Sequence, residues 1–448
     1  MPAMTDIIIV GAGISGLSCA WFLRAREKQV RVLEAGPQPG GCLSSAQHDG
    51  FLIEGGPNST LLRDGALGSL IHELGLDARL LEANPAARRR YVVKNNQLVA
   101  LPGSPPAFIV SPLFSMRAKL RLLLEPFHRR AAGEESIAQF VRRRLGPEFL
   151  DWAIDPFVSG VYAGDPARLS VRAAVARIYA LEAEHGSLIL GALAHRRQAR
   201  AVGPMPVGRL ISFRAGMQTL TQTLAGSLGD AVLCGAGVTA IRRDGRGWQV
   251  ETPAGVQRAA RLVLSVPAYR AAPLLEPLDA ELAADLAAIH YPPLASVALG
   301  FGREQVAHPL DGFGMLIPSR AGRRTLGVLF SSTLFPGRAP AGQVLLTAFI
   351  GGVRNEAVAT LDEAEIVRQV LADLTPLLGI RAAPVFERVR RWAHAIPQYE
   401  LGHLERLARI DARLARLPGL QVRANWRDGI SVADCVANAA QFAGQLSD

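Results

Sequence analysis

A glycine pattern close to the N-terminus constrains the fold of this chain more than any other feature. Residues 11–16 read GAGISG, directly after the apolar run 7–10. A second apolar run at 30–33 ends in Glu34. Strand, glycine turn, helix, second strand and acidic residue follow one another in the order that holds a dinucleotide. The pattern predicts nucleotide binding but does not distinguish NAD from FAD.

Each member of this pattern has a physical task. Gly11 allows a tight turn, and Gly13 lets the backbone approach a pyrophosphate. Gly16 lets the helix pack against the strand, and the helix N-terminus offers free N–H groups to phosphate. Glu34 lies where a ribose hydroxyl needs a hydrogen-bond acceptor.

Length and composition indicate a globular protein of two or three domains. The chain has 448 residues, of which 49% are hydrophobic and 20% charged. Arg, Asp, Gly or Pro interrupts every apolar run before it reaches the length of a membrane span. The N-terminus leads straight into the glycine pattern, so we expect no signal peptide. Four scattered cysteines (Cys19, Cys42, Cys234 and Cys435) are typical of reduced thiols, so we expect a cytoplasmic protein without a disulfide or metal framework.

The net charge of +10 comes almost entirely from arginine, because Lys28, Lys94 and Lys119 are the only lysines. Genomic composition with solvated faces explains this charge most simply. No RNP, helix-turn-helix or zinc-finger pattern accompanies it, so we expect no nucleic-acid partner. An anionic membrane surface or a carboxylate-rich substrate suits the charge better.

The order of patterns along the chain predicts an α/β fold with a discontinuous nucleotide-binding domain. Residues 1–80 alternate strand and helix signals, and mainly helical sequence runs to about 205. Residues 297–301, 314–317, 325–330 and 344–350 alternate like strands of one sheet, and 363–378 has the period of an amphipathic helix. The closing strand and helix at 420–444 are expected to complete the N-terminal sheet.

An ordered series of short segments resembles the protoporphyrinogen oxidase family, FAD enzymes of haem biosynthesis within the flavin amine oxidase superfamily. The resemblance covers nearly the whole chain. The segments that carry it are residues 55–59, 156–166, 186–188, 216–220, 265–268, 312–318, 396–403 and 429–435. Those at 158–166 and 397–403 separate this family from its flavin relatives.

The resemblance implies a Rossmann-like FAD-binding domain from residues 1–85, 206–290 and 385–448. It also implies a helical domain at 86–205 that covers the substrate, and a mixed-sheet substrate domain at 291–384. FAD is expected to contact the following residues: Gly11, Ala12, Gly13, Ser15, Gly16, Glu34, Ala35, Gly40, Gly41, Cys42, Gly56, Pro57, Asn58, Ser59, Val238, Trp392, Ile430, Ser431 and Val432. The helix that follows Gly429 is expected to stabilise negative charge on the reduced flavin ring.

The reaction implied is oxidation of protoporphyrinogen IX to protoporphyrin IX by successive hydride transfers to flavin, which O2 reoxidises with formation of H2O2. We expect no catalytic side chain, because the flavin N5 carries the chemistry, and we find no His metal spacing or GxSxG elbow. The substrate is an apolar disc with carboxylate arms. Its expected contacts are Arg63 for a propionate and Phe313, Met315 and Leu316 for the ring.

The sequence leaves the substrate, the electron acceptor and the class of protein open. Coproporphyrinogen III could be the substrate, and a quinone could replace O2. A flavin amine oxidase or desaturase is a further alternative, although the absence of lysine after Lys119 counts against an amine oxidase. Cys42, where relatives often have Arg, and Ala424, where they have Gly, keep a flavin-free binding protein of this fold open. A homodimer is compatible with the sequence.

Residues 108–130 alternate Leu and Phe with basic residues. In the protoporphyrinogen oxidase family, which the chain resembles, this region covers the substrate and in some members contacts the membrane. A basic amphipathic segment can lie on an anionic bilayer, which predicts a peripheral location on the inner face of the cytoplasmic membrane. The alternative, slightly favoured from the sequence, is an ordinary domain face that packs inward.

Overall fold

The structure is a computed structural model, which describes residues 5–63, 65–202, 208–245 and 247–446. Its strands are β1 (Thr5–Val10), β2 (Val30–Leu33), β3 (Ser45–His48), β4 (Phe51–Glu54), β5 (Thr60–Leu62), β6 (Leu80–Glu82), β7 (Arg89–Lys94), β8 (Gln97–Ala100), β9 (Arg209–Phe213), β10 (Val232–Leu233), β11 (Ala240–Asp244), β12 (Gly247–Thr252), β13 (Gly255–Leu264), β14 (Leu294–Gly302), β15 (Gly312–Leu316), β16 (Thr325–Leu329), β17 (Gln343–Gly351), β18 (Phe386–Trp392) and β19 (Leu420–Val422).

The helices are α1 (Ile14–Arg24), α2 (Ala66–Glu73), α3 (Pro105–Val110), α4 (Met116–Leu123), α5 (Ile137–Arg144), α6 (Pro147–Phe149), α7 (Asp155–Tyr162), α8 (Val171–Ala174), α9 (Ala176–His185), α10 (Leu188–Val202), α11 (Gln218–Leu228), α12 (Ala268–Leu275), α13 (Ala280–Ala287), α14 (Ser331–Leu334), α15 (Glu363–Leu378), α16 (His403–Leu414), α17 (Asn425–Asp428) and α18 (Val432–Gln445). Short 3-10 turns and one π-helical turn (Leu150–Ile154) connect some of them.

The first sheet is a parallel, doubly wound sheet, as the glycine pattern predicts. Strands β10, β2, β1, β13 and β19 run parallel in that spatial order. The first half of β13 continues through β12 to β11 in antiparallel pairs. Helices α1, α2, α11 and α18 share one apolar core with the sheet, and α12, α13 and α16 share a second. Helices therefore cover both faces, which explains why the parallel strands are almost wholly apolar.

The closing strand and helix join this sheet, but not beside β1. Strand β19 pairs with β13, which lies between it and β1. Helix α18 packs directly on α1 through buried Val432, Val436 and Ala439. Both ends of the chain therefore meet at one edge of the sheet.

The second sheet contains the four strands predicted between residues 297 and 350. Its order is β18-β14-β17-β16-β15-β7-β8, and β7 and β8 form a hairpin around Asn95 and Asn96. Helix α15 has the predicted bounds, Glu363–Leu378, and packs its buried face on the core of this sheet. The sheet thus takes strands from three separate stretches of sequence.

Two pairings cross the expected domain boundaries. Strands β7 and β8 fall within residues 86–205, expected to be helical, yet β7 pairs with β15. Strand β18 falls within 385–448, expected in the nucleotide-binding domain, yet it pairs with β14. The boundary expected at 205–206 lies outside the described residues. The domain division therefore stays a prediction, with β7, β8 and β18 belonging to the second sheet.

The helical part exposes apolar side chains instead of packing all of them inward. Seven large apolar residues on α3, α4 and the turn that follows are 58–82% exposed, and we call them the apolar patch: Ile109, Val110, Met116, Leu120, Leu123, Leu124 and Phe127. Only part of the segment, including Leu113, Phe114 and Ala118, is buried. The inward-packing face favoured from the sequence is therefore wrong for the apolar patch. No helix in the described part of the chain has the length and apolar composition needed to cross a bilayer.

A buried ion-pair network holds the base of the patch. Glu125 is fully buried, and its carboxylate lies 3.2 Å from the Arg144 guanidinium. The same carboxylate accepts hydrogen bonds from the Ser187 hydroxyl and the Leu188 N–H at the start of α10. Arg144 also pairs with buried Glu182 on α9. One carboxylate therefore fixes the turn after α4 to the α9–α10 hairpin.

Replacing Glu125 with Ala is expected to lower the thermal midpoint of the helical part substantially. Removing one partner of a buried pair leaves the other charge uncompensated and costs about 3–5 kcal/mol. Thermal unfolding followed by circular dichroism measures the effect. The matched control is Glu82→Ala, which removes an exposed pair with Arg209 and should change the midpoint little. Equal midpoints for both variants would contradict this role of Glu125.

Candidate functional site

The glycine turn joins β1 to α1 with the geometry that its sequence predicts. Gly11 has φ of 103°, and a Cβ there would lie 2.7 Å from the Ser265 carbonyl oxygen. A Cβ on Gly16 would overlap the Gly11 carbonyl oxygen. Gly13 differs, because no atom lies within 4 Å of its Cβ position and its φ of −74° suits any residue. The fold itself requires Gly11 and Gly16, whereas at Gly13 a side chain would only fill an open cradle.

The start of α1 keeps its binding groups free. No side chain caps this helix, so its first N–H groups and positive dipole end remain for an anion. Glu34 lies at the end of β2 and accepts hydrogen bonds from Ala12 N–H and Gly36 N–H, each at 2.8 Å. Each carboxylate oxygen has a second lone pair, which can accept from a ribose hydroxyl.

Two further loops lie against this turn. Gly40 pairs with Gly13 in an isolated bridge and donates its N–H to the Ala12 carbonyl at 2.8 Å. The next residues, Gly41 and exposed Cys42, therefore border the turn, and a Cβ on Gly56 would overlap the Cys42 carbonyl oxygen. The Gly56–Ser59 loop, with Pro57 and Asn58, follows from there.

The Trp392 indole N–H donates to the Gly55 carbonyl at 2.9 Å. This bond brings the end of β18 to the same loop. The predicted cofactor residues from 11 to 59 and Trp392 are thus brought together.

The segment expected to bind adenine, residues 236–238, lies beside the end of β2. The Ala236 N–H donates to the Glu34 carbonyl at 2.8 Å, and a Cβ on Gly237 would lie 3.3 Å from the Ala35 Cβ. The Val238 N–H has no hydrogen-bond partner among the described residues. Its backbone is therefore available to a base, and adenine binding at Val238 stays a prediction.

The C-terminal motif reaches the turn through the first turn of α18. Helix α18 packs against α1 in the first core, and the Cys435 thiol donates to the Gly429 carbonyl at 3.6 Å. Ser431 caps α18 by accepting from Asp434 N–H at 3.0 Å, and its hydroxyl donates to the Asp434 carboxylate at 2.6 Å. The Asp434 charge offsets part of the helix dipole, so stabilisation of a reduced ring by this helix is weaker than the sequence alone predicts.

The side chains beside Ser431 have different surroundings. Val432 is 5% exposed within the first core, so it can offer a ligand only its backbone. Ile430 is half-buried and packs against the helical part.

The segment 396–403 has a positioning role that the sequence did not reveal. The Gln398 side-chain amide donates to the Tyr162 carbonyl at 2.8 Å. The Tyr399 hydroxyl donates to the Asn425 carbonyl and accepts from Gly429 N–H at 3.0 Å. His403 stacks on Tyr399 with ring centroids 4.5 Å apart, and burial lowers the pKa of His403 to about 4. This segment therefore connects α7 to the turn before α18, and its histidine is a neutral structural group.

The predicted substrate residues on β15 point to two different faces. Met315 is 2% exposed in the core beneath α15, because neighbouring residues of a strand face opposite sides. Leu316 packs with Val92 and approaches Gly160 of α7. Met315 is therefore a core residue, and the prediction that it faces the substrate ring is wrong. Phe313 and Leu316 remain half-buried.

Two arginines border Phe313 and its surroundings. The Arg90 guanidinium lies 5.2 Å from the centre of the Phe313 ring, and no carboxylate pairs with it in the described part of the chain. Arg63 is exposed at the end of β5, which pairs with β9, and Leu210 of β9 packs in the same cluster as Phe313. Sequence reasoning missed Arg90. The run of three arginines at 88–90 beside the strand pair was the available signal.

Ala424, the departure from the expected glycine, is accommodated without strain. Its φ of −154° is extended backbone, and its methyl group is 5% exposed among core residues such as Trp426. The methyl group therefore points into the core, away from the crowding that the sequence raised as a concern.

The fold and the site define a dinucleotide-binding flavoprotein architecture, in which both chain ends meet at one glycine turn. A family model described as flavin containing amine oxidoreductase matches residues 14–437. The chain belongs to this flavin-containing family, and the open cradle at Gly13 beside Glu34 fits FAD as its cofactor.

Individual relatives are similar over almost their full length. Protoporphyrinogen oxidase, chloroplastic, of Oryza sativa subsp. japonica is 36% identical, covering 99% of this chain and 88% of that protein. Coproporphyrinogen III oxidase of Bacillus subtilis (strain 168) is 30% identical, covering 96% and 95%. A crystal structure from Exiguobacterium sp. 255-15 superposes with a TM-score of 0.84 at 25% identity, covering 99% of both chains.

The different surroundings of Gly13 and Gly16 give a paired prediction. Gly13→Ala should lose most bound flavin, because its methyl group enters only the space of the pyrophosphate, and it should keep the thermal midpoint of the flavin-free parent protein. Gly16→Ala should instead reduce folded yield and thermal midpoint, because its methyl group meets the Gly11 carbonyl. Flavin absorbance per chain and thermal unfolding separate the two effects. A Gly13→Ala protein with full flavin content would contradict the position given to the pyrophosphate.

Proposed function

We propose that this chain is an FAD-dependent oxidase of haem biosynthesis that converts protoporphyrinogen IX to protoporphyrin IX, with O2 as acceptor and H2O2 as its product. Bound FAD supplies hydride acceptance from the substrate and reoxidation by O2. The protein would bind and orient FAD and the porphyrinogen, and it would keep water from the reacting atoms. Family membership and the relatives named as porphyrinogen oxidases support this proposal.

The cofactor would be held by groups from both ends of the chain. The N–H groups at the start of α1 and the backbone at Gly13, Gly40 and Gly41 would bind the pyrophosphate, and Glu34 a ribose hydroxyl. The Val238 backbone would bind adenine. The Gly56–Ser59 loop, Trp392 and the backbone at 430–432 would border the flavin ring.

One observation carries the choice of substrate: the Arg90 guanidinium, which has no carboxylate partner among the described residues, lies over the half-buried Phe313 ring. A porphyrinogen combines a large apolar ring with carboxylate arms. An aromatic side chain next to a free arginine matches both properties, because arginine binds carboxylates with charge-assisted hydrogen bonds. Leu316 on the same strand extends the apolar surface toward α7. Arg63 is the second candidate for a carboxylate arm.

Coproporphyrinogen III is the second candidate substrate, because the Bacillus subtilis relative carries that name. It differs from protoporphyrinogen by carrying two more propionates in place of vinyl groups. It would therefore need more cationic contacts than Arg90 and Arg63 provide.

Anaerobic mixing of the purified flavoprotein with each porphyrinogen tests the proposal. Protoporphyrinogen IX should bleach the flavin absorbance and form porphyrin, and admission of air should restore the yellow colour. Coproporphyrinogen III should bleach it more slowly. Failure of both porphyrinogens to bleach the flavin, or bleaching by amines such as putrescine, would overturn the substrate assignment.

A variant of the arginine locates the substrate in the same assay. Arg90→Ala should raise the concentration for half-maximal bleaching at least about tenfold, since a hydrogen bond to a charged group contributes about 1.5–3 kcal/mol. Arg381→Ala is the matched control, an exposed arginine after α15 on the far side of the second sheet. An equal effect of both variants would contradict a role for Arg90.

We also propose that the apolar patch contacts an anionic lipid surface. Three basic residues next to it, Arg117, Arg129 and Arg130, form no ion pair with a carboxylate in the described residues. Apolar insertion with neighbouring unpaired cations is the pattern of interfacial membrane binding. This location would be peripheral, on the inner face of the cytoplasmic membrane.

Sedimentation with vesicles tests this contact. Vesicles containing about a third phosphatidylserine should retain the protein, and neutral vesicles should retain much less. The double variant Leu123→Ser, Phe127→Ser should lose binding, whereas Val256→Ser, Val385→Ser, which removes exposed apolar residues elsewhere, should keep it. The lipid contact would be refuted if the parent protein bound no vesicles and self-associated, and if the Leu123→Ser, Phe127→Ser variant no longer self-associated. The apolar patch would then bind a second copy of the chain.

A further inference from the structure

A cluster of three potential metal ligands lies on the α9–α10 hairpin, outside the site described above. Glu184 and His185 are the last two residues of α9, and His195 lies about two turns into α10. One donor atom from each side chain comes within 4.8 Å of the other two. The Glu184 carboxylate oxygen is 3.8 Å from His185 Nε2 and 3.9 Å from His195 Nε2.

These donors have no competing hydrogen-bond partner among the described residues. At 3.8 and 3.9 Å the carboxylate is too far from either ring nitrogen for a normal hydrogen bond. The two imidazole rings meet edge to face, with centroids 5.8 Å apart, so the nitrogens converge without the rings stacking. One potential ligand atom of each side chain therefore faces a common space, and none of these atoms has a hydrogen-bond partner in the described part of the chain.

The spacing is close to that of a zinc site. Zinc binds imidazole nitrogen and carboxylate oxygen at roughly 2.0–2.2 Å with tetrahedral geometry, which places neighbouring donors roughly 3.3 Å apart. Rotations of the exposed Glu184 and His195 side chains would bring the observed separations to that value. Two imidazoles with one carboxylate form a donor set that zinc prefers, and water would complete the four ligands.

We propose that Glu184, His185 and His195 bind one Zn²⁺ ion, which ties the end of α9 to α10. The closed end of this hairpin is already fixed by Glu125 through the Ser187 hydroxyl and the Leu188 N–H. A metal bound at His195 adds a second fixed point, further along α10. Because the ligands come from both helices, Zn²⁺ binding favours the hairpin over its opened form.

Calorimetric titration of the metal-free, full-length flavoprotein with ZnCl₂ tests the proposal. The titration is run at about 0.15 M salt, which screens the charges of neighbouring Arg196 and Arg197. We expect one saturable site whose affinity falls at least tenfold in His195→Ala and in His185→Ala. His72→Ala is the matched control, because His72 is an exposed histidine that pairs with Asp77 and has no second histidine in a ligand cluster.

Two further readouts make the result decisive. Co²⁺ in place of Zn²⁺ should give tetrahedral visible absorption that is lost in His195→Ala. Amide hydrogen exchange of α10 should slow with Zn²⁺ in the parent protein and not in that variant. Unchanged Zn²⁺ affinity in the His185→Ala, His195→Ala double variant, or no saturable binding by the parent, would overturn the proposal.

Discussion

The packing of α18 on α1 is the interaction on which the rest of the site depends. It brings residues more than four hundred positions apart in the sequence to one glycine turn. Apolar packing of Val436 and Ala439 against α1 and pairing of β19 with β13 hold the two ends together. Gly16 has no side chain, so α1 can lie directly against the Gly11 carbonyl of the glycine turn.

Buried polar contacts hold the remaining parts of the molecule against this centre. The Arg338 guanidinium pairs with Glu54 at 3.0 Å, just before the Gly56 loop, and both side chains are buried. Burial raises the pKa of Glu54, and the facing Arg338 opposes that rise. On the helical side, Asp155 of α7 accepts from the Ser319 N–H at 2.8 Å and pairs with Arg354. Since the partners come from distant segments, these contacts orient the second sheet and the helical part relative to the cofactor cradle.

The sequence predicts local features of this molecule well because their causes are local. The glycine turn, Glu34 and the bounds of α15 follow from residues within one element and its caps. Met315 could not be placed, because the face of a strand that meets the core depends on which helix covers it. The benign environment of Ala424 likewise depends on its long-range partners in the core. The sequence also favoured burial of the segment at 108–130, although periodicity cannot say whether another element covers an apolar face.

The two chain ends together form the groove in which we expect FAD to bind. A crystal structure of the protein with its bound cofactor tests this most directly. We expect one FAD per chain, a ribose hydroxyl bonded to the Glu34 carboxylate, and the flavin ring between Trp392 and the first turn of α18. A cofactor bound away from the glycine turn, or with its flavin ring remote from α18, would contradict it.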